Sequence, residues 1–247
     1  MRIDILTLFP ETLGDVLSDS ILGRAQERGF IKIETHQIRD YTTNKQFQVD
    51  DYPYGGGRGA VMMADPLYRA LEAVKNMAGG EVHTIYLTPC GKTFTQADAI
   101  RLSKLPNLVL VCGHYEGIDQ RFIDECVDEE ISLGDFVLTG GEIAAMAVTD
   151  AVCRMVPGVL ADPECFEDES HYSGMLEYPQ YTRPAVWHDR EVPAILLSGN
   201  HAKVAQWRRK QALRRTRERR PDMYEKLDLS SKQDKKLLRE MDEEDGK

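Results

Sequence analysis

Apolar positions follow two rhythms along this chain, and the rhythm changes after residue 160. Residues 3–9 form an apolar, β-favouring run that predicts a first strand. Pro10 then opens a segment in which Leu13, Val16, Leu17, Ile21 and Leu22 share one face, predicting one helix to about residue 28. Residues 30–35 alternate through Ile31 and Ile33 and predict a second strand. A polar loop is expected over 40–60. Pro66 heads a helix whose stripe is Leu67, Ala70, Leu71 and Val74. Strands are predicted at 82–87 and 108–112, with a helix near 96–102 between them. Gly140 and Gly141 precede an apolar helix to about residue 155. Strands separated by helices of this length predict an α/β fold with a mainly parallel sheet.

Beyond Pro157-Gly158 the texture changes. Residues 161–173 are acidic, polar and poor in aliphatics, and from Arg183 the chain is rich in helix formers, best at 202–220 and 230–241. The expected organisation is an α/β domain at 1–160, a linker at 161–174 and a helical domain at 175–247. No repeat of fixed period is visible.

With 247 residues, 42% of them hydrophobic, the chain can bury a substantial core, which excludes collagen, a coiled coil and a wholly disordered protein. No apolar run approaches the roughly 20 residues that span a bilayer. The first residues, with Asp4 among them, are expected to be a mature strand rather than a signal peptide. Cys90, Cys112, Cys126, Cys153 and Cys165 are odd in number and form no C-x-x-C pair, so reduced thiols in a cytoplasmic protein are expected. The net charge of -10 argues against bulk-charge binding of nucleic acid. Locally the picture reverses. Residues 203–220 hold Lys203, Arg208, Arg209, Lys210, Arg214, Arg215, Arg217, Arg219 and Arg220 against Glu218 alone, while 242–245 is acidic.

The glycine-rich stretch 51–60 formally matches G-x-G-x-x-A at Gly55, Gly57 and Ala60, but Pro53 and two aspartates stand where a dinucleotide fingerprint needs an apolar strand. It fits better as a loop that lets a flat substrate approach the backbone. Gly91-Lys92-Thr93 lacks the earlier glycine of a P-loop, since position 86 is Tyr86. Residues 86–91, 113–117 and 133–141 each lie at or just beyond the carboxyl end of a predicted strand. In open α/β sheets ligands bind there. Three such loops could encircle a small molecule with backbone N–H and C=O groups, or be ordinary connections.

These residues carry a resemblance. Tyr54-Gly-Gly-Gly57 with Met62-Met63, the segments 111–118 and 131–142, Pro157-Gly-Val-Leu160, Tyr178-Pro-Gln-Tyr-Thr-Arg-Pro184 and Leu197-Ser-Gly-Asn-His201 are similar, in order, to the bacterial tRNA (guanine-N1)-methyltransferases. These form the TrmD family of the SPOUT superfamily. The resemblance runs from the first strand to about residue 221. It implies an α/β fold with a deep C-terminal trefoil knot, a small mainly helical C-terminal domain and an obligate homodimer. A knot runs against the general topological rule, and nothing in the periodicity points to one.

The resemblance further implies S-adenosyl-L-methionine as methyl donor, held by Tyr86, Leu87, Pro89, Gly113, Tyr115, Glu116, Leu133, Gly134, Asp135, Phe136, Val137, Leu138, Gly140 and Gly141. The implied acceptor is N1 of the guanosine at position 37 of tRNA. That nitrogen carries a proton, so a base must remove it and a cation must meet the charge spreading to O6. Arg154 stands at the family's position for the cation. The family's base is an aspartate in an Asp-Ser pair; here Glu169 occupies that position before Ser170, with Asp168 as its neighbouring rival. The tRNA side is implied at Gly55, Gly56, Gly57, Ser170, His201, Arg208, Arg209, Arg214 and Arg215. A need for Mg2+ stays open. So do two rivals: a knotted ribose or ribosomal RNA methyltransferase, and an RNA-binding protein that keeps the fold without catalysis.

Overall fold

The structure, a computed structural model, describes residues 1–160, 166 and 169–246. Contacts divide the chain into two compact units, Met1–Pro163 and Glu164–Lys247. Asp168 and Cys165 are among the half of the expected linker that lies outside the described residues.

The first unit is built on five parallel strands: β1 (Arg2–Thr7), β2 (Lys32–Gln37), β5 (His83–Thr93), β6 (Asn107–Cys112) and β7 (Glu129–Ser132), in the order β2-β1-β6-β5-β7. Successive side chains point to opposite faces, and the apolar sequence of these strands serves both. Ile3, Ile5, Leu108, Leu110, Ile85 and Leu87 enter one core, and Leu6, Val109, Val111 and Tyr86 enter the other. The first core is closed by α1 (Pro10–Ser18), α2 (Ser20–Glu27), α4 (Gln96–Leu102) and α6 (Glu142–Cys153). The second is closed by α3 (Ala64–Ala78) and α5 (Gln120–Cys126). Each fully buried aliphatic contributes about 1.5–3 kcal/mol, so these layers dominate the unit's stability.

Four departures from the expected pattern have local causes. The helix expected over 10–28 is two helices, because Asp19 turns extended, accepts the Ser20 N–H at 2.6 Å, and Ser20 takes a positive φ of 55°. The polar loop carries a two-stranded hairpin, β3 (Asp50–Asp51) with β4 (Val61–Met62). The strand expected at 82–87 runs on to Thr93 through a register shift between Leu87 and Lys92. Finally, α5 and β7 were hidden by their charge. Glu129, on the edge strand β7, is held by Arg101 at 2.8 Å and His83 at 2.7 Å.

The second unit holds an antiparallel pair, β8 (Val186–Trp187) and β9 (Arg190–Glu191), where helix formers led to a helical expectation. It also holds α7 (His201–Arg219), α8 (Pro221–Tyr224) and α9 (Lys232–Glu244). Its core is small: Met175, Ala212, Leu213, Leu237 and Met241. Asn200 and Ser231 cap α7 and α9 by accepting the N–H of Lys203 and Asp234.

Candidate functional site

The carboxyl ends of β5, β6 and the segment after β7 converge on a cavity of about 320 Å³. Of the residues expected to hold a donor, all but Gly134 and Asp135 line it. Two close approaches bring the loops together. A Cβ on Gly91 would lie 2.5 Å from the backbone of Glu130 and Ile131, so only glycine lets the end of β5 lie this close to β7. A Cβ on Gly141 would lie 2.6 Å from Cys112 Cα, and the Gly141 N–H donates to the Gly113 carbonyl at 3.0 Å, fastening the third loop to the end of β6. Gly134 instead donates its N–H to Ser132 Oγ and accepts from it, shaping the loop from outside the cavity.

Residues not assigned individually from sequence also line the cavity: among them Cys90, His114 and Thr139 within the three loops, and Ser132 just before the third. His114 lies in the glycine-flanked motif at 113–117, which was the signal available for it. Its ring packs 5.1 Å from Phe9 and 4.8 Å from Tyr115, and its buried Nδ1 has no hydrogen-bond partner among the described residues. Glu142, the first residue of α6, is buried and accepts from Thr7 Oγ1 at 2.7 Å. Burial, with the Glu142 charge adding to it, holds the Cys112 thiol well above its ordinary range, so it is an inert core group. Burial likewise raises the Tyr86 phenol. The wall is thus apolar with a few oriented polar groups, the chemistry of a small-molecule site. It fits an adenosyl donor, whose base presents apolar faces and hydrogen-bonding edges.

The glycine-rich loop reaches the same wall. The Glu116 N–H donates to the Ala60 carbonyl at 3.0 Å, the Met62 N–H to the Gly117 carbonyl at 3.0 Å, and a Cβ on Gly59 would meet the Glu116 carboxylate at 2.5 Å. Gly55 and Gly56 take positive φ with open space around them, beside a fully exposed Tyr54. Arg39 donates to the Tyr115 hydroxyl at 3.2 Å. Arg154 caps the carboxyl end of α6, its N–H bonded to the Asp150 carbonyl at 3.1 Å.

In the second unit Glu169 is half-buried, and its N–H donates to the Phe166 carbonyl at 3.2 Å. Ser170 Oγ accepts the Glu177 N–H, and His201 starts α7 on the surface. The four expected arginines divide. Arg209 is bonded to Asp234 at 2.9 Å and Arg214 to Glu244 at 2.7 Å. Arg208 lies 4.8 Å over the Tyr178 ring, and Arg215 donates to the Glu177 carbonyl at 3.0 Å.

Among the described residues one grouping has metal-ligand spacing: Asp4, Glu34 and His36. The Arg2 guanidinium already bonds both Asp4 oxygens at 2.7 Å and Glu34 at 2.5 Å, so the charge a cation would meet is met. The grouping does not fit Mg2+.

Comparison with known proteins agrees with this architecture. The profile of the family described as tRNA (Guanine-1)-methyltransferase TrmD matches residues 1–226. A Clostridium perfringens protein named tRNA (guanine-N(1)-)-methyltransferase is 58% identical over 97% of this chain and 99% of its own. Proteins of the same name are 52% identical in Ruminiclostridium cellulolyticum, over 92% of this chain and 97% of its own, and 48% identical in Dehalococcoides mccartyi, over 98% and 97%. By its sequence over nearly its whole length, the chain belongs to the tRNA (guanine-N1)-methyltransferase family, TrmD.

Proposed function

We propose that this protein transfers a methyl group from S-adenosyl-L-methionine to N1 of the guanosine at position 37 of tRNA. The observation that carries the reading is the convergence of three strand-end loops on one cavity, in a chain of this family. Bound there, S-adenosyl-L-methionine supplies an electrophilic methyl group. The cavity wall of Tyr86–Pro89, Leu133 and Phe136–Gly141 would hold the adenosine, and the Glu116 carboxylate would oppose the positive sulfonium. Guanine is splayed from the anticodon loop so that N1 can be reached. Glu169 takes the N1 proton, the electron pair left on N1 forms the new N–C bond as the methyl's bond to the donor sulfur breaks and S-adenosyl-L-homocysteine leaves as a neutral thioether, and the Arg154 guanidinium meets the charge spreading to O6. Gly55, Gly56 and Gly57 let the base approach the backbone, and Ser170, His201 and arginines of α7 hold the RNA.

The same reading makes residues 1–160 a knotted SPOUT domain, 161–174 a linker and 175–247 a tRNA-binding domain, in a cytoplasmic homodimer. Support for the knot is the close backbone approach of Gly91 to β7 and of Gly141 to the end of β6. Support for the dimer is apolar surface left exposed on the first unit, at Phe9, Val16, Phe136, Val137 and Ile143. No helix among the described residues is long and apolar enough to cross a membrane. Calorimetry with the donor, followed by methyl transfer to unmodified transcripts with guanosine or adenosine at position 37, tests the proposal. Transfer to the first transcript alone is expected. Folded protein that takes up no donor, or methylates neither transcript, overturns it.

A further inference from the structure

The basic block of α7 is divided between two faces, and only one of them is available to a partner. Arg209, Lys210, Arg214 and Arg217 point toward α9, where Asp234, Glu244 and Asp242 accept from them at 2.5–3.0 Å, with Asp245 also 2.5 Å from Arg217. All four are partly buried. Leu237 and Met241 seat α9 on Leu213, so these pairs surround a small apolar core. The family profile ends at residue 226, and α9 lies beyond it.

Three of the remaining cations lie elsewhere on α7. At about 100° per residue, Arg208, Arg215 and Arg219 fall within about 40° of one another, on a stripe rotated away from the α9 contact. Arg208 and Arg219 are exposed, and no acidic side chain among the described residues pairs with any of the three. Along the axis they are spaced by about 10 and about 6 Å, close to the distances between phosphates of a nucleic-acid strand. Aromatic rings flank the stripe. Arg208 stacks on Tyr178, and Trp207 lies 6.3 Å from Tyr181, which is 48% exposed. Guanidinium groups on the same surface as the exposed Tyr181 ring fit single-stranded RNA, whose phosphates meet the cations and whose unstacked bases meet the ring.

We infer that the RNA-binding surface of this unit is the Arg208–Arg215–Arg219 stripe with Tyr181 and Trp207, and that the acidic helix α9 withdraws the other half of the basic block from RNA. The inference rests on the proposed tRNA substrate and deepens it: Arg209 and Arg214, expected from sequence to bind tRNA, serve instead to hold α9.

The test is equilibrium binding of an unmodified tRNA transcript to the full chain across a salt series, with donor binding and thermal unfolding measured on each variant. Arg208→Gln with Arg219→Gln changes two exposed side chains. It should lower affinity roughly 10-fold or more near 0.1 M salt and reduce the slope of log affinity against log salt by about 1.4, the value for two single-strand phosphate contacts. Tyr181→Ala should lower affinity about 5-fold or more without changing that slope, because a stacked base carries no counterion release. Lys210→Gln with Arg217→Gln should lower the unfolding temperature and leave the salt slope unchanged. An unaltered slope in the first double variant, or a reduced slope in the second, overturns the inference. Wild-type protein that binds donor but shows no salt-dependent affinity for tRNA overturns both the inference and the substrate reading beneath it. Methylation of the guanosine-37 transcript with an unaltered slope in the first variant overturns the inference alone.

Discussion

Single carboxylates in this protein do different work according to what surrounds them. Burial raises the Asp98 carboxyl, but hydrogen bonds from Thr95 and Lys92 outweigh it and hold the group at about 2. Thr95 and Asp98 also form a capping box at the start of α4. Because the folded value lies below the unfolded one, this stabilisation is present above about pH 4 and is lost as pH falls toward 2. Asp98→Asn should therefore lower the unfolding temperature clearly at pH 6, with a deficit that narrows toward pH 2; a deficit constant across that range would contradict the assignment. Asp4 is fully buried between Arg2 and His36, at 2.7 Å from each. Removing its charge leaves Arg2 with Glu34 as its remaining acidic partner, so Asp4→Asn should cost about 1–3 kcal/mol in chemical denaturation. Glu169 has the catalytic assignment in the proposed reaction. Glu169→Gln should leave donor affinity unchanged and slow single-turnover transfer roughly 100-fold or more, the range for a positioned proton acceptor. Asp168→Asn should cost far less, and the reverse ranking would move the base to residue 168.

At the scale of elements, the same substitution changes sign with position. Gly14 lies inside α1, where an added methyl group would meet nothing within 4 Å, so Gly14→Ala should stabilise by about 0.5–1 kcal/mol through helix propensity. Gly91→Ala places that methyl against backbone of β7, which cannot swing aside as a side chain can. It should cost about 1–3 kcal/mol and weaken donor binding roughly 10-fold, read by thermal unfolding and calorimetry together. Sequence patterning found α3, α4, α6 and β6 because their apolar stripes are long relative to their ends. It joined α1 to α2 because the break at Asp19 and Ser20 is a local hydrogen bond and a backbone angle, neither of which disturbs the apolar period. It implied a strand ending before residue 133 but gave no bounds for β7, whose two glutamates look like loop until Arg101 and His83 are seen to neutralise Glu129.

For the whole molecule, the proposed dimer makes a quantitative prediction. If each site combines Arg154 of one protomer with Glu169 of the other, mixing Arg154→Ala and Glu169→Ala chains should restore about a quarter of wild-type activity, since half the dimers would be mixed and each would hold one intact site. No recovery after subunit exchange would contradict a shared site. The chain's order of apolar and polar residues by itself determined the α/β class and the strand-end loops, and the resemblance of its motifs to a known family implied the identity of most residues around the cavity. Those properties depend on periodicity and on motifs contiguous in the chain. Tertiary structure decided that the three loops share one cavity, that Glu116 meets the glycine-rich loop, and that His114 faces the same space. It also decided which arginines of α7 are spent on α9. A run of basic residues has the same charge whichever way it faces. Only the packing of Leu237 and Met241 against Leu213 brings Asp234, Asp242 and Glu244 across from one side of that helix and leaves Arg208 and Arg219 exposed on the other.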